Sequence, residues 1–276
     1  MRKLEERIIR VLMVFSTVLV ALGFISILIP IGVKGLPAFN WDLISKVPTG
    51  GFYMGKEGGI LNAIIGSFEV ATISSLLGLC LALPVALYLN AYLTKRSLGA
   101  QAIRLTMDVL QGVPSIVYGA CAFSFMIYLG WQASLGAGIF TMTILVFPLF
   151  VRSIDEVMKL TPSDLKQTAL SLGGTSFTYA TLLLRYCSGG ILTAFLLGFG
   201  RVIGDAAALM FTAGFSDNIP TSLSDQAPTL PLSIFFQLGS PIKEVQERGY
   251  ASALLLTIIV LLINFLVKYI RKKIVR

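Results

Sequence analysis

Apolar residues in this chain come in long unbroken runs rather than at alternate positions. Residues 11–33, 70–94 and 249–267 carry no charge, and neither do residues 109–151, which have a polar break between Trp131 and Gly138. Each run reaches or exceeds the ~18–20 residues needed to cross a hydrocarbon core. Continuous apolarity, without the dyad alternation of a membrane barrel, predicts helices. Dividing the long third run at Gly130, Gly136 and Gly138, and adding the apolar stretch 186–214, gives six spans. The expected fold class is therefore all-α: a polytopic membrane protein with both termini on one side. A first helix and outer loop occupy residues 1–58, ahead of a larger transmembrane domain over 59–276.

Composition agrees, with 55% hydrophobic and 13% charged residues. Lysine and arginine are retained on the cytoplasmic side of spans. With the N-terminus inside, that side collects Arg2, Lys3, Arg7, Arg10, Lys95, Arg96, Arg104, Arg152, Lys159, Lys166, Arg185 and the basic end from Lys268 to Arg276, against Lys34, Lys46, Lys56, Lys243 and Arg248 outside. Both termini are thus expected to be cytoplasmic. This asymmetry accounts for the net charge of +8, so no nucleic-acid partner is inferred, and the basic tail suits anionic lipid. The first apolar run is too long for a signal peptide and lacks a small-x-small cleavage site, so a retained helix is expected.

Several chemistries drop out. There is no histidine, the commonest general base and metal ligand. Cys80, Cys121 and Cys187 lie in or beside apolar runs at spacings unlike a metal site or redox pair. Gly50, Gly55 and Lys56 imitate a phosphate-binding loop, but Glu57 stands where Ser or Thr should hold magnesium. Any ATPase must be another chain.

Two segments carry candidate chemistry. Arg201 and Asp205 lie four apart within the apolar stretch 186–214. A charge near the bilayer centre costs at least about 2.5–3.5 kcal/mol and ordinarily faces a partner, a cavity or a solute. On a continuous helix the two would share a face, where they could neutralise each other. The second segment, 152–185, is the longest polar stretch assigned to the cytoplasm. Thr161 as cap, Pro162 at the first position and Asp164 in the first turn predict a short helix over 162–172, stopped by Gly173 and Gly174. Leu165, Ala169 and Leu172 are spaced to form one face. Such a helix either rests on the membrane surface or sits as a knob in a partner's groove.

Lys166-Gln167-Thr168-Ala169-Leu170-Ser171-Leu172-Gly173 resembles the cytoplasmic coupling motif of ABC-importer permeases. Gly112-Val113-Pro114-Ser115-Ile116-Val117-Tyr118-Gly119, the run Arg201 to Leu209, Phe211-Thr212-Ala213-Gly214 and Leu230-Pro231-Leu232-Ser233-Ile234 are similar to one subfamily, the A-type permease subunits of phosphate importers. The resemblance extends from about Gly59 to the C-terminus, identifying 59–276 as the permease domain, with a coupling helix at about 162–173. Gln167-Thr168 replaces the usual Glu-Ala, Tyr186-Cys187 replaces a Leu-Pro pair, and Gly204-Asp205-Ala206-Ala207-Ala208-Leu209 replaces G-E-T-A-P-L.

The resemblance implies a subunit of an ATP-driven phosphate importer in the cytoplasmic membrane. Its partners would be a second, homologous permease, two ATPase subunits that bind ATP-Mg, and an extracytoplasmic phosphate-binding protein; this chain itself would hold no cofactor or metal. Arg201, Asp205 and Arg152 are then the expected pathway residues, with Asp205 holding the arginine in place and a snorkelling interface position as the alternative for Arg152. Asp164, Lys166, Gln167, Ala169, Leu172 and Gly173 would meet the ATPase. Gly112, Pro114 and Gly119 would allow a bend and close helix approach, and Glu69 and Asp108, near span ends, would serve as structural or interface charges. Sulfate or molybdate importers share the architecture. An ion-coupled transporter would ordinarily show inverted repeats, which are not seen here.

Overall fold

The structure, a computed structural model, describes residues 2–49, 57–94 and 97–274. The loop mimic at Gly50, Gly55 and Lys56, and the basic pair Lys95 and Arg96, lie outside the described residues. The chain begins with α1 (Arg2–Ala38), α2 (Trp41–Ser45), an antiparallel ribbon of β1 (Pro48–Thr49) and β2 (Glu57–Gly58), and α3 (Leu61–Leu87), which runs on into a π-helical turn, Tyr88–Tyr92. There follow α4 (Leu98–Gly112), α5 (Ser115–Leu129), α6 (Leu135–Lys159) and α7 (Ser163–Ser171). The last four helices are α8 (Ser176–Tyr186), α9 (Ser188–Ile203), α10 (Leu230–Leu238) and α11 (Lys243–Ile274).

Among the described residues, four helices are long and apolar enough to cross a membrane: α1, α3, α6 and α11. Two bent pairs, α4–α5 at 95° and α8–α9 at 64°, bring the total to six if each pair is one span. The all-α polytopic expectation holds, the two-residue ribbon being the only strand pairing among the described residues. The helices overrun the uncharged runs at their ends, because headgroups and water solvate the terminal charges that hydrocarbon would not.

The core is built around α6, on which α3 and α9 pack. Small residues let backbones meet where no hydrophobic force separates protein from lipid. A methyl added at Gly198 would run into the Phe150 ring, one at Gly78 into Val146, and one at Gly190 into Val157. Phe150 stacks on Phe195 (6.4 Å between centroids), which neighbours Phe199 (6.3 Å), which reaches Phe68 of α3 (6.4 Å). By contrast, the most apolar stretch of α1 is wholly unburied within the subunit. α1 touches α11 where Gly35 lies under the Tyr250 carbonyl and Lys34 sits over the Tyr250 ring at 4.8 Å.

The bend expected at Gly112 and Pro114 is a 95° break between α4 and α5, because Pro114 lacks the N–H that would bond the Leu110 carbonyl. Instead the Val113 N–H (3.1 Å) and the Tyr118 hydroxyl (2.9 Å) donate to that oxygen, which satisfies it across the break. The helix expected through 186–214 ends at Ile203, with Gly204 as its cap. The short helix starts at Ser163, not Pro162, which lies outside it in extended geometry (ψ 139°). Thr161 does not cap it, its hydroxyl lying 3.4 Å from the Cys187 thiol. Gly173 (φ +80°) provides the left-handed stop.

Candidate translocation site

Arg201 lies in the last turn of α9, where a cation suits the partial negative charge of the helix end. Its height follows from packing. Gly190 meets Val157 and Gly198 meets Phe150, so α9 runs antiparallel to α6 and Arg201 lies level with about Phe147, the middle of α6. The side chain is exposed on the subunit surface. A guanidinium at that depth does not belong against lipid.

Asp205 does not pair with it; no ion pair joins the two among the described residues. The reason is the early helix end: spacing of four aligns side chains only while the helix continues. The Asp205 carboxylate instead accepts the Ala208 N–H at 3.1 Å, starting a series of turns over 205–213. Thr212 anchors this segment, its carbonyl accepting the Ser134 N–H (2.9 Å), while the Ala213 carbonyl accepts the Ala227 N–H (2.8 Å). Irregular backbone at membrane depth is tolerated where protein or a polar cavity surrounds it.

The α5 helix closes on this segment. A β-carbon at Gly119 would lie 2.6 Å from the Ala208 carbonyl oxygen, and Phe123 pairs with Phe211 at 6.0 Å. The motif containing Pro114 and the motif containing Arg201 therefore touch through backbone. Gly119→Val is expected to force them apart and destabilise the subunit by about 1–3 kcal/mol, read as a lower thermal midpoint of the detergent-solubilised protein. Gly112, at the break, has open space around it.

Arg152 is already occupied. Its Nε lies 2.6 Å from Asp108 Oδ1, its Nη1 3.5 Å from Asp155 and its Nη2 3.7 Å from Glu156. Asp155, which the sequence reading passed over, is the centre of this cluster, with a side chain 0% exposed. Arg104 grips it with two nitrogens (3.0 Å each), Asn90 donates at 2.9 Å and Lys159 at 2.5 Å. Three cations thus face three carboxylates between α4 and α6, with Asn90 of the π-helical turn bonded to their centre. Such a cluster is tolerable only fully paired, since removing one partner of a buried pair typically costs about 3–5 kcal/mol. Glu69, on α3, buries Oε2 without a hydrogen-bond partner among the described residues.

The candidate contact residues of α7 divide. Ala169 is buried and Leu165 half-buried, while Asp164, Gln167, Gly173 and Leu172 are exposed, Leu172 by 83%. Leu172 therefore leaves the face it was expected to share, because it caps the helix rather than continuing it. Lys166 turns inward, donating to the Ala91 carbonyl (3.3 Å) and lying 5.4 Å from the Tyr179 ring centre. Lys166 and Ala169 are thus taken up by the subunit itself.

The opposite end holds an open cavity of about 540 Å³, walled by Trp131, Phe140, Leu223 and Ser224. Asp225 braces the adjoining loop: its carboxylate takes the N–H (2.8 Å) and hydroxyl (2.9 Å) of Thr221 and the N–H of Ser222 (2.9 Å), which pulls its pKa down to about 2. A folded-state pKa below the unfolded one stabilises fully above the unfolded value and fades as pH falls toward the folded one. Trp131 fluorescence, read in a Trp41→Phe background, is expected to stay constant down to about pH 4 and to change as pH approaches 2; Asp225→Asn should remove that step.

The family described as a binding-protein-dependent transport system inner membrane component matches residues 78–276, the stretch holding the α4–α5 break, α7 and Arg201. The chain belongs to this family. This inner-membrane component is 31% identical to the phosphate transport system permease protein PstA of Pasteurella multocida (strain Pm70) over 272 residues, 95% of this chain and 93% of the relative. It is 30% identical to the Yersinia pestis protein of that name, over 99% of this chain and 92% of that one. An inward-facing structure of the MetNI methionine ABC transporter superposes with a TM-score of 0.64 at 19% identity, over 79% of this chain and 96% of that one. An amino acid ABC transporter does so at 0.57 and 15% identity, over 78% and 93%. At these identities the superpositions show a shared fold, that of an ABC-importer permease.

Proposed function

We propose that this chain is a permease subunit of an ATP-driven importer that moves inorganic phosphate across the inner membrane. The observation that carries the reading is Arg201, a guanidinium at mid-height on an exposed face, at the end of a half-helix that gives way to irregular backbone. Phosphate offers one to two negative charges and several acceptor oxygens, which a permanently charged planar fork matches. The names of the full-length relatives point to the same solute.

In this reading a second, similar permease covers the Arg201 face and the pathway lies between the two. The α7 end faces the cytoplasm, as do both termini, and two ATPase subunits holding ATP-Mg dock on Asp164, Gln167, Leu172 and Gly173. An extracytoplasmic phosphate-binding protein delivers from the opposite end. Asp205 shapes the backbone beside the arginine instead of neutralising it. That leaves a cation available for brief contact, and a pathway needs contacts weak enough to release. Arg152, held by Asp108, belongs to the framework.

The test is uptake of radiolabelled phosphate by vesicles holding this chain with its companion permease, ATPase and binding protein. ATP-dependent accumulation that excess sulfate or molybdate leaves unchanged is the expected result. Transport of sulfate or molybdate in place of phosphate would overturn the assignment of the solute, and accumulation without any ATPase would overturn the class.

A further inference from the structure

The cluster around Asp155 is paired within itself and sits where α7 leans on the bundle. Lys166 of α7 bonds the carbonyl of Ala91, and the neighbouring residue in the π-helical turn, Asn90, bonds Asp155. Asp155 in turn fixes Arg104 of α4 through two hydrogen bonds, and α4 leads through the 95° break into α5. Gly119 of α5 rests on the Ala208 backbone, in the segment that follows Arg201. Each link is a direct contact, and π-helical turns recur at functional positions in helices.

We infer that Asp155 is a positioning residue for transport: it locks the π-helical turn, α4 and α6 into one rigid body, so that a displacement of α7 is passed to α4 and α5. This inference rests on the reading of α7 as the ATPase contact. A softer joint would absorb the movement at the turn. With Asn90, Arg104, Arg152 and Lys159 converging on one carboxylate, the joint has few alternative arrangements, as bistable transmission through packed elements requires. Contiguity alone does not establish coupling; energetic interdependence does.

The experiment measures phosphate moved per ATP hydrolysed by the complete importer in vesicles, for wild type, Asp155→Asn, Asn90→Ala and the neutral pair Asp155→Asn/Arg104→Gln. Transport per ATP is expected to fall about tenfold in Asp155→Asn, less in Asn90→Ala, and to recover partly in the neutral pair, while ATP hydrolysis by the assembled complex persists. A purely structural role would lower complex yield, hydrolysis and transport together and leave their ratio unchanged. If Asp155→Asn does not assemble, Asn90→Ala decides. Transport per ATP within about twofold of wild type in each variant that assembles overturns the inference. Wild-type complex that moves no phosphate would instead defeat the functional reading itself.

Discussion

Replacing Arg201 with alanine is expected to leave the importer assembled and to lower phosphate flux by about 10- to 100-fold, the equivalent of losing contacts to a charged group worth about 1.5–3 kcal/mol. The side chain is exposed and has no ion-pair partner among the described residues, so its loss leaves no orphaned carboxylate inside the subunit. Destabilisation should therefore be small, and yield of the purified complex is the control. Arg201→Lys separates charge from shape, since lysine keeps the charge but not the planar fork. Intermediate flux in Arg201→Lys is the expected outcome. Wild-type flux in Arg201→Ala would remove the residue from the pathway.

The second large effect is expected at Leu172. It is 83% exposed at the tip of α7 and contributes little to the subunit's own core. Substitutions at such exposed positions ordinarily change stability by less than about 0.5 kcal/mol, so Leu172→Asp should leave the isolated permease intact. Placed in a partner's apolar groove, the same carboxylate would be buried unpaired, and a contact of that kind costs about 2 kcal/mol or more. ATPase recovery in a pull-down should fall roughly 30-fold, with ATP-driven uptake lost. Ala169→Asp would be a poor probe of the contact, because Ala169 is buried against this chain's own helices. Normal ATPase docking by Leu172→Asp would move the contact elsewhere.

The apolar runs made the spans legible, and the glycine pair at 173–174 made the end of α7 legible. What the sequence hid was where long apolar stretches are interrupted. Between 186 and 214 the residues that end the helix at Ile203 look like part of it: Gly204 caps it, and the Asp205 carboxylate takes a backbone N–H instead of facing Arg201. A spacing of four therefore suggests a shared face where it in fact spans a helix end. Asp155 was hidden for the opposite reason. It lies in a stretch that reads as polar loop, whereas α6 continues to Lys159. The signal was present: Arg152, Asp155, Glu156 and Lys159 are spaced three and four apart, with Ile154 and Met158 on the buried side. Arg104 and Asn90 carried no such signal, since their meeting with Asp155 is set by tertiary packing across α3, α4 and α6.

The inward turn of Lys166 was likewise invisible in the motif. A lysine in a helix exposed to water reads as a contact for a partner, but the carbonyl of Ala91, near the end of the π-helical turn, offers it a nearer acceptor. Leu165, Lys166 and Ala169 seat the helix on the bundle, and Asp164, Gln167 and Leu172 are left exposed.

The central claim, that Arg201 lines a watery route through the membrane, is tested most directly by thiol accessibility. Arg201→Cys, in a chain whose Cys80, Cys121 and Cys187 are replaced by serine, would be assembled with its partners and exposed to a membrane-impermeant thiol reagent. The assay would be run with and without nucleotide and with phosphate present. The account requires modification in at least one nucleotide state and slowing by phosphate. A thiol that stays unreactive in every state would place position 201 against lipid or packed protein and contradict the account.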